Sequence, residues 1–187
     1  MATASLSEKV LLIEEALRRR RIPHAFGGAL ALAYYATPRA TIDIDVNVFV
    51  GVDRADEVLG LLQALGAEPL REKEREQLRR DEQTRVRWDA TPVDLFFSYD
   101  ALHESCLERR QRVPFGGGDS IHVLAAEDLL IFKVLFDRDK DWRDIEELVY
   151  AMADELDAAY ARGWLERIGG EQDPRYQRLR EVLDRYA

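Results

Sequence analysis

The stretch "RATIDIDVNVFV", residues 39–50, alternates β-branched and polar residues with the period of a strand. It also places two carboxylates, Asp43 and Asp45, on one face. Residues two apart in a strand point the same way, with Cα atoms roughly 6.5–7 Å apart. The pattern therefore predicts a strand over 41–50 with Ile42, Ile44, Val46 and Val48 facing a core and Asp43, Asp45 and Asn47 facing away. Like charges held together repel: at an effective dielectric near 20, two unit charges 4 Å apart cost about 4 kcal/mol. Such a pair needs open solvent, a raised pKa or a cation.

Asp94 in "PVDLFF" is a third carboxylate set among apolar strand residues. If its strand lies beside the first, at roughly 4.8 Å spacing, the three converge. Carboxylates without nearby His or Cys suit a hard ion, Mg²⁺ above all when substrate phosphates complete its octahedron. A pair of such ions can clamp the attacking and leaving oxygens of a phosphoryl transfer. Upstream, "FGGALA" puts Gly27 and Gly28 between a strand and a helix, where backbone N–H groups can approach a phosphate closely. Each feature alone has a plain structural reading: a tight turn, a solvated strand face, a turn residue after Pro92. Their order along the chain is far more specific.

The rest of the chain frames these residues. With 187 residues, 47% hydrophobic and 34% charged, it fits one domain or a compact core with a helical extension. A formal net charge of −9 argues against indiscriminate coating of nucleic acid. Two local basic runs exist, residues 18–21 and Arg79, Arg80, Arg85 and Arg87, and both read first as solvated helix ends or strand faces. Cys106 is the lone cysteine, so no internal disulfide forms and a cytoplasmic location is expected. No signal peptide and no run of roughly 20 apolar residues is present, so no membrane partner is expected.

Periodicity predicts a helix over 7–20 capped by Ser5 or Ser7, a short strand in "IPHAF", and a helix in "GGALALAYY" stopped by Pro38. A helix follows over 53–65 with Gly66 as its C-cap. "REKEREQLRRDEQ" offers no apolar face and reads as a loop. Residues 84–98 read as two strands joined by a turn at 89–92, and "RVPFGGGDSIHVL" as a Gly-rich hairpin. Residues 125–156 read as two helices broken near 137–140, with further helix to the end. Strands with helices on their flanks indicate a mixed α/β (α+β) sheet. His24, His103 and His122 follow no metal-ligand spacing, and the sequence assigns them no role.

The combination Gly27-Gly28, Asp43-Ile44-Asp45 and Asp94 resembles the nucleotidyltransferase superfamily. "GGALALAYYATPRATIDIDV" looks most like its AbiEii/MenT-type toxin branch, which carries an Arg-x-Thr-x-Asp-Ile-Asp pattern. "HVLAAEDLLIFKVLFDRDKDWRDIEEL" is similar to that branch's lysine-bearing helix and the charged segment after it, matching at Lys133, Arg138, Lys140, Asp141 and Asp144. The matched blocks span about residues 22–148.

The resemblance implies a nucleotidyltransferase fold: a small mixed sheet flanked by helices over 1–125, and a helical C-terminal part over 126–187 completing the cleft. It implies Mg²⁺, or Mn²⁺ in its place, and transfer of a nucleotide from an NTP to an acceptor hydroxyl. Asp43, Asp45 and Asp94 would ligate metal, with Asp94 also able to accept the hydroxyl's proton. Gly27, Gly28 and Lys133 would bind nucleotide or phosphate, and Arg39 and Thr41 would either do the same or fix the entry to the strand. Lys133 would neutralise the triphosphate, and Asp144, with Asp141 as second candidate, would orient that lysine or the acceptor. Two departures stand out: Gly28 takes the place of the serine often found in the wider family, though Gly-Gly forms are familiar in this branch, and Lys133 and Asp144 lie closer together than usual.

Three functions compete, and the toxin leads them on the "ATPRATIDIDV" wording and the lysine block. A toxin would act on RNA (tRNA) or protein beside a cognate antitoxin. An antibiotic-type enzyme would modify a small cationic acceptor, which the acidic net charge favours. A silent domain would bind nucleotide or a partner without chemistry; the complete carboxylate set argues against it. For Lys133 the ordinary alternative is an i,i+4 ion pair with Asp137.

Overall fold

Why the strands line up as they do is seen from their burial. The computed structural model describes residues 4–97 and 100–186. Ser98, the last residue of the second expected strand, and the outermost residues of both expected parts lie outside that range. Helix α1 (Leu6–Arg19) starts at Ser5, whose hydroxyl accepts the Glu8 N–H while the Glu8 carboxylate accepts the Ser5 N–H. Its face of Val10, Ile13 and Leu17 is buried.

A strand β1 (His24–Phe26) leads into α2 (Gly28–Leu32), then β2 (Ile44–Val48), a 3₁₀ turn (Val52–Arg54) and α3 (Ala55–Leu65). Gly66 ends α3 in the left-handed region, at φ +113°, as its C-cap position requires. After α4 (Glu72–Asp81) come β3 (Gln83–Trp88), β4 (Thr91–Phe97), α5 (Ala101–Arg109), β5 (Gln111–Pro114) and β6 (Ser120–Val123). Helices α6 (Ala126–Phe136), α7 (Asp139–Ala151), α8 (Ala158–Gly169) and α9 (Pro174–Tyr186) complete the described chain.

The strands form one mixed six-stranded sheet in the order β3-β4-β2-β1-β6-β5. β2 runs parallel to β4 and β1 parallel to β6, while the β1/β2, β3/β4 and β5/β6 pairs are antiparallel. In β4 the alternation is clean: Val93, Leu95 and Phe97 are buried and Asp94 between them is half-exposed. The expected mixed α/β architecture is the observed one.

The chain divides into two units. The first holds the chain through Leu30 together with Ala40–Val123, and so the whole sheet. The second holds Ala31–Arg39 and Leu124 onward. In the second unit the buried residues of α6 include Leu129, Leu130, Ile131 and Val134, and α6 packs with α7, α8 and α9.

Four local expectations change. The first concerns Ile42, which is 69% exposed rather than in the core, because β2 begins only at Ile44. Another is "REKEREQLRRDEQ", which forms α4. Only Leu78 of that helix is buried, and strong helix formers with acids in the first turn and arginines in the last sustain it instead. α2 ends at Leu32, well before Pro38, as Tyr34 and Tyr35 donate three residues back to Ala31 and Leu32. Helix α5 is not announced by the sequence pattern at all. Asp100 caps it by accepting from the backbone of Leu102 and His103.

One buried cation fixes the β3–β4 hairpin. Lys9 of α1 is 1% exposed; its Nζ donates to Trp88 O at 2.8 Å and Thr91 Oγ1 at 3.1 Å, and pairs with Asp89 at 3.1 Å. Asp89 sits at φ +54° in the turn. A buried ammonium is tolerable only when its donors are satisfied, and here that requirement anchors the hairpin carrying Asp94.

Candidate functional site

In the sheet unit the expected residues fall on one row. Asp45 of β2 and Asp94 of β4 are register partners on adjacent parallel strands. Across the next strand, Asp94 pairs in register with Arg85 of β3. On the other side the Gly27 N–H donates to Asp45 O at 2.9 Å. Register partners share a face of the sheet, so the row reads Arg85, Asp94, Asp45, Gly27. Asn47, on the alternation shared by Asp43 and Asp45, is buried at 4% exposure.

Gly28 completes the row. It has φ +54°, and a Cβ built there would overlap the Asp45 carboxylate. A side chain at this position would meet both backbone strain and a charged group. That accounts for glycine here in place of serine: the space a hydroxymethyl would take belongs to Asp45. Since α2 is only five residues long, this turn offers close backbone approach rather than the dipole of a long helix.

Asp43 lies just ahead of β2. Thr41 Oγ1 accepts the Asp43 N–H at 3.1 Å, so Thr41 shapes the entry to the strand. Both residues are half-exposed.

Arg85 was not among the expected site residues. Its Nε and Nη2 donate to the two Asp94 oxygens at 2.6 and 2.7 Å. Hydrogen bonding to Asp94 raises the guanidinium pKa first, and the charges of Asp94, Asp43 and Asp45 add to it. The arginine therefore answers the repulsion posed by the sequence: it supplies positive charge to all three carboxylates. The donors of Asp43, Asp45 and Asp94 are all carboxylate oxygens, the set a hard divalent cation takes, but among the described residues they do not form a group with all ligand atoms within 4.8 Å of one another. Alternating charges on neighbouring strands would have hinted at this partner, since Arg85 and Asp94 flank a two-residue turn symmetrically.

The other expected residues gather in the helical unit. Lys133 of α6 is 3% exposed and donates to Asp144 Oδ2 of α7 at 2.6 Å, with Asp141 Oδ1 at 3.7 Å. Arg39 forks the same carboxylate, Nε to Oδ1 and Nη2 to Oδ2, each at 2.9 Å. Burial pushes the Asp144 carboxyl up, but the hydrogen bonds and charges of Arg39 and Lys133 prevail and hold it below the ordinary range. Asp141 also receives the Arg138 guanidinium. The surface pair with Asp137 is not formed: Asp137 accepts from Trp142 Nε1 at 2.6 Å instead. Lys133 is thus paired with Asp144 and not with Asp137.

Most other basic residues have structural partners. Arg18 and Arg19 pair with Glu15, and Arg80 with Asp81. The "GGGD" segment closes the β5–β6 hairpin, with the Phe115 N–H donating to Asp119 O. Among the described residues, no helix is long and apolar enough to cross a membrane.

No family model matches the chain, and no curated protein matches it. Solved structures do. A crystal structure of ANT(2")-Ia in complex with adenylyl-2"-tobramycin aligns with a TM-score of 0.59 and 17% identity, covering 98% of this chain and all of that one, 100%. The lincosamide antibiotic adenylyltransferase LnuA, lincomycin-bound, aligns at 0.52 and 12% identity over 79% of this chain and 98% of its own. An antigenic nucleotidyltransferase-like protein from Paracoccidioides brasiliensis aligns at 0.50 and 16% identity over 94% of each. At these identities the likeness establishes architecture: the chain has the nucleotidyltransferase fold.

Proposed function

We propose that this protein is a Mg²⁺-dependent nucleotidyltransferase that moves a nucleotide, AMP in the first instance, from an NTP to a hydroxyl of a small cationic acceptor. The observation that carries this reading is the register pair Asp45–Asp94 beside Gly27-Gly28. Support for a small acceptor comes from the adenylyl-tobramycin and lincomycin complexes of two proteins sharing the fold, and from the net charge of −9.

Asp43, Asp45 and Asp94 are the residues that would hold Mg²⁺, whose charge would neutralise the triphosphate. The acceptor oxygen bonds to the α-phosphorus, the bond to the bridging oxygen of pyrophosphate breaks, and pyrophosphate leaves. Asp94 takes the hydroxyl's proton once Arg85 has released it. Gly27 and Gly28 admit the phosphates close to the backbone. The resemblance places Lys133 on the triphosphate, with Arg39 and Asp144 fixing it; that assignment is part of the same proposal.

The RNA- or protein-directed toxin, paired with an antitoxin, remains the second reading. It rests on the Arg39-x-Thr41-x-Asp43 wording and the buried Lys133–Asp144 pair. The two separate in one experiment. Purified protein, Mg²⁺ and labelled ATP are offered aminoglycoside and lincosamide acceptors in one arm and total RNA or lysate protein in the other. Label on the small molecule supports the proposal; label confined to RNA or protein overturns it in favour of the toxin.

A further inference from the structure

The histidines that sequence spacing left without a role turn out to share a carboxylate. Glu14 of α1, His24 of β1 and His122 of β6 each offer one ligand atom, and these atoms all lie within 4.8 Å of one another. Glu14 is 6% exposed and His24 3%. Glu14 Oε2 stands 2.9 Å from His24 Nε2, and Oε1 stands 3.0 Å from His122 Nδ1. The His122 backbone N–H also donates to Oε2, at 3.2 Å.

The orientation of His24 is the telling feature. Its Nδ1 lies 2.9 Å from the Ile22 carbonyl oxygen, which can only accept. A neutral ring donating there turns the lone pair of Nε2 toward Glu14. Two acceptors would then face each other inside the protein unless something positive lies between them. A proton can fill that place, and so can a metal ion. The Ile22 carbonyl is also the kind of outer partner that fixes the tautomer of a metal-bound histidine.

We infer that Glu14, His24 and His122 form a site for a divalent transition ion of the zinc class. Two imidazoles and one carboxylate make a mixed nitrogen–oxygen donor set, which suits Zn²⁺ or Co²⁺ and not the hard Mg²⁺ expected at Asp43, Asp45 and Asp94. Zn–ligand distances of about 2.0–2.2 Å require the three side chains to part only slightly. Access exists from one side. A groove of about 690 Å³ bordered by Glu14, Ser120 and His122 and a second of about 210 Å³ bordered by Pro23, His24 and His122 both have His122 and Arg18 in their walls, so His122 is reached from solvent. The ion would staple α1 to β1 and β6. This site does not depend on the proposed transferase activity.

The test uses the full chain, stripped with chelator and then held in excess Mg²⁺ so that the sheet carboxylates are occupied. Co²⁺ is titrated by its visible d–d absorption, and Zn²⁺ by calorimetry and by the melting temperature. Wild type should bind one equivalent and melt higher when loaded. His122→Gln, at a half-exposed position where folding is retained, should weaken binding at least tenfold and abolish the melting shift, and Glu14→Gln should do the same. Asp45→Asn should leave both intact. Wild type without saturable Co²⁺ or Zn²⁺ binding would overturn the inference, as would His122→Gln binding as tightly as wild type. Loss of binding in Asp45→Asn alone would overturn it too, by moving the ion to the sheet.

Discussion

Asp45 and Asp94 are register partners on the parallel strands β2 and β4, so the sheet itself sets their spacing. The separation is a property of backbone hydrogen bonding, about 4.8 Å between strands, and neither side chain needs packing to hold it. Both point away from the core and are half-exposed.

Replacing either with asparagine should therefore remove chemistry and spare the fold. Asp45→Asn and Asp94→Asn should each lower nucleotide transfer by on the order of 10²–10³-fold, the scale seen when one preorganised electrostatic group is lost. Pyrophosphate release measures the first effect and far-ultraviolet circular dichroism the second. A variant that keeps wild-type turnover removes that residue from the metal site.

Gly28→Ala should damage stability and activity together. The alanine meets a positive φ and the Asp45 carboxylate at once, and a strained non-glycine residue alone costs about 1–3 kcal/mol. Gly116→Ala is the control, because Gly116 has φ +56° with open space around it. It should lose stability by strain only and keep full activity, compared by urea melts and turnover.

The Arg85–Asp94 fork makes a prediction about cation affinity. Arg85 is 61% exposed, so the pair adds little to stability. Its larger effect is to neutralise the carboxylates and occupy both oxygens of Asp94. Arg85→Ala should tighten Mg²⁺ or Mn²⁺ binding several-fold, read by calorimetry, and lower the melting temperature slightly in chelator. Weaker binding would mean that Arg85 assists the ion instead of competing with it.

Asp144 answers two cations, and losing it leaves the buried Lys133 only its longer contact to Asp141, at 3.7 Å. Asp144→Asn should destabilise by about 3–5 kcal/mol, as breaking a buried pair does. Its folded pKa lies below the ordinary 3.8, so in acid the unfolded chain binds more protons at this site than the folded one. The stabilisation is full above that ordinary value and disappears as pH falls through the lower folded value. Denaturant melts between pH 2 and 6 should show this rise with pH in wild type and a shallower one in Asp144→Asn.

Much of this arrangement is legible in the sequence, where local chemistry and tertiary placement agree. Asp45 and Asp94 are visible because strand alternation assigns a carboxylate to a face before any partner is known, whereas Asp43 lies ahead of the paired residues of β2. Lys133 is visible as the odd cation on an apolar helix. Helix α4 is not, because it hides a single leucine, Leu78, and owes its form to propensity and end charges. Ile42 misleads because the alternation continues past the point where pairing stops. Arg85 and the Glu14–His24–His122 cluster stay hidden for a different reason. Their partners are set by sheet order, and the Glu14–His122 contact spans 108 positions with no motif to mark it.

The most direct test of the central claim is the mass of a small aminated acceptor after incubation with the protein, ATP and Mg²⁺, beside an Asp45→Asn control. The account predicts an acceptor heavier by one AMP residue, with pyrophosphate released in equal amount and neither product in the control. Unmodified acceptors across a panel of nucleotides, or modification that persists in Asp45→Asn, would contradict it.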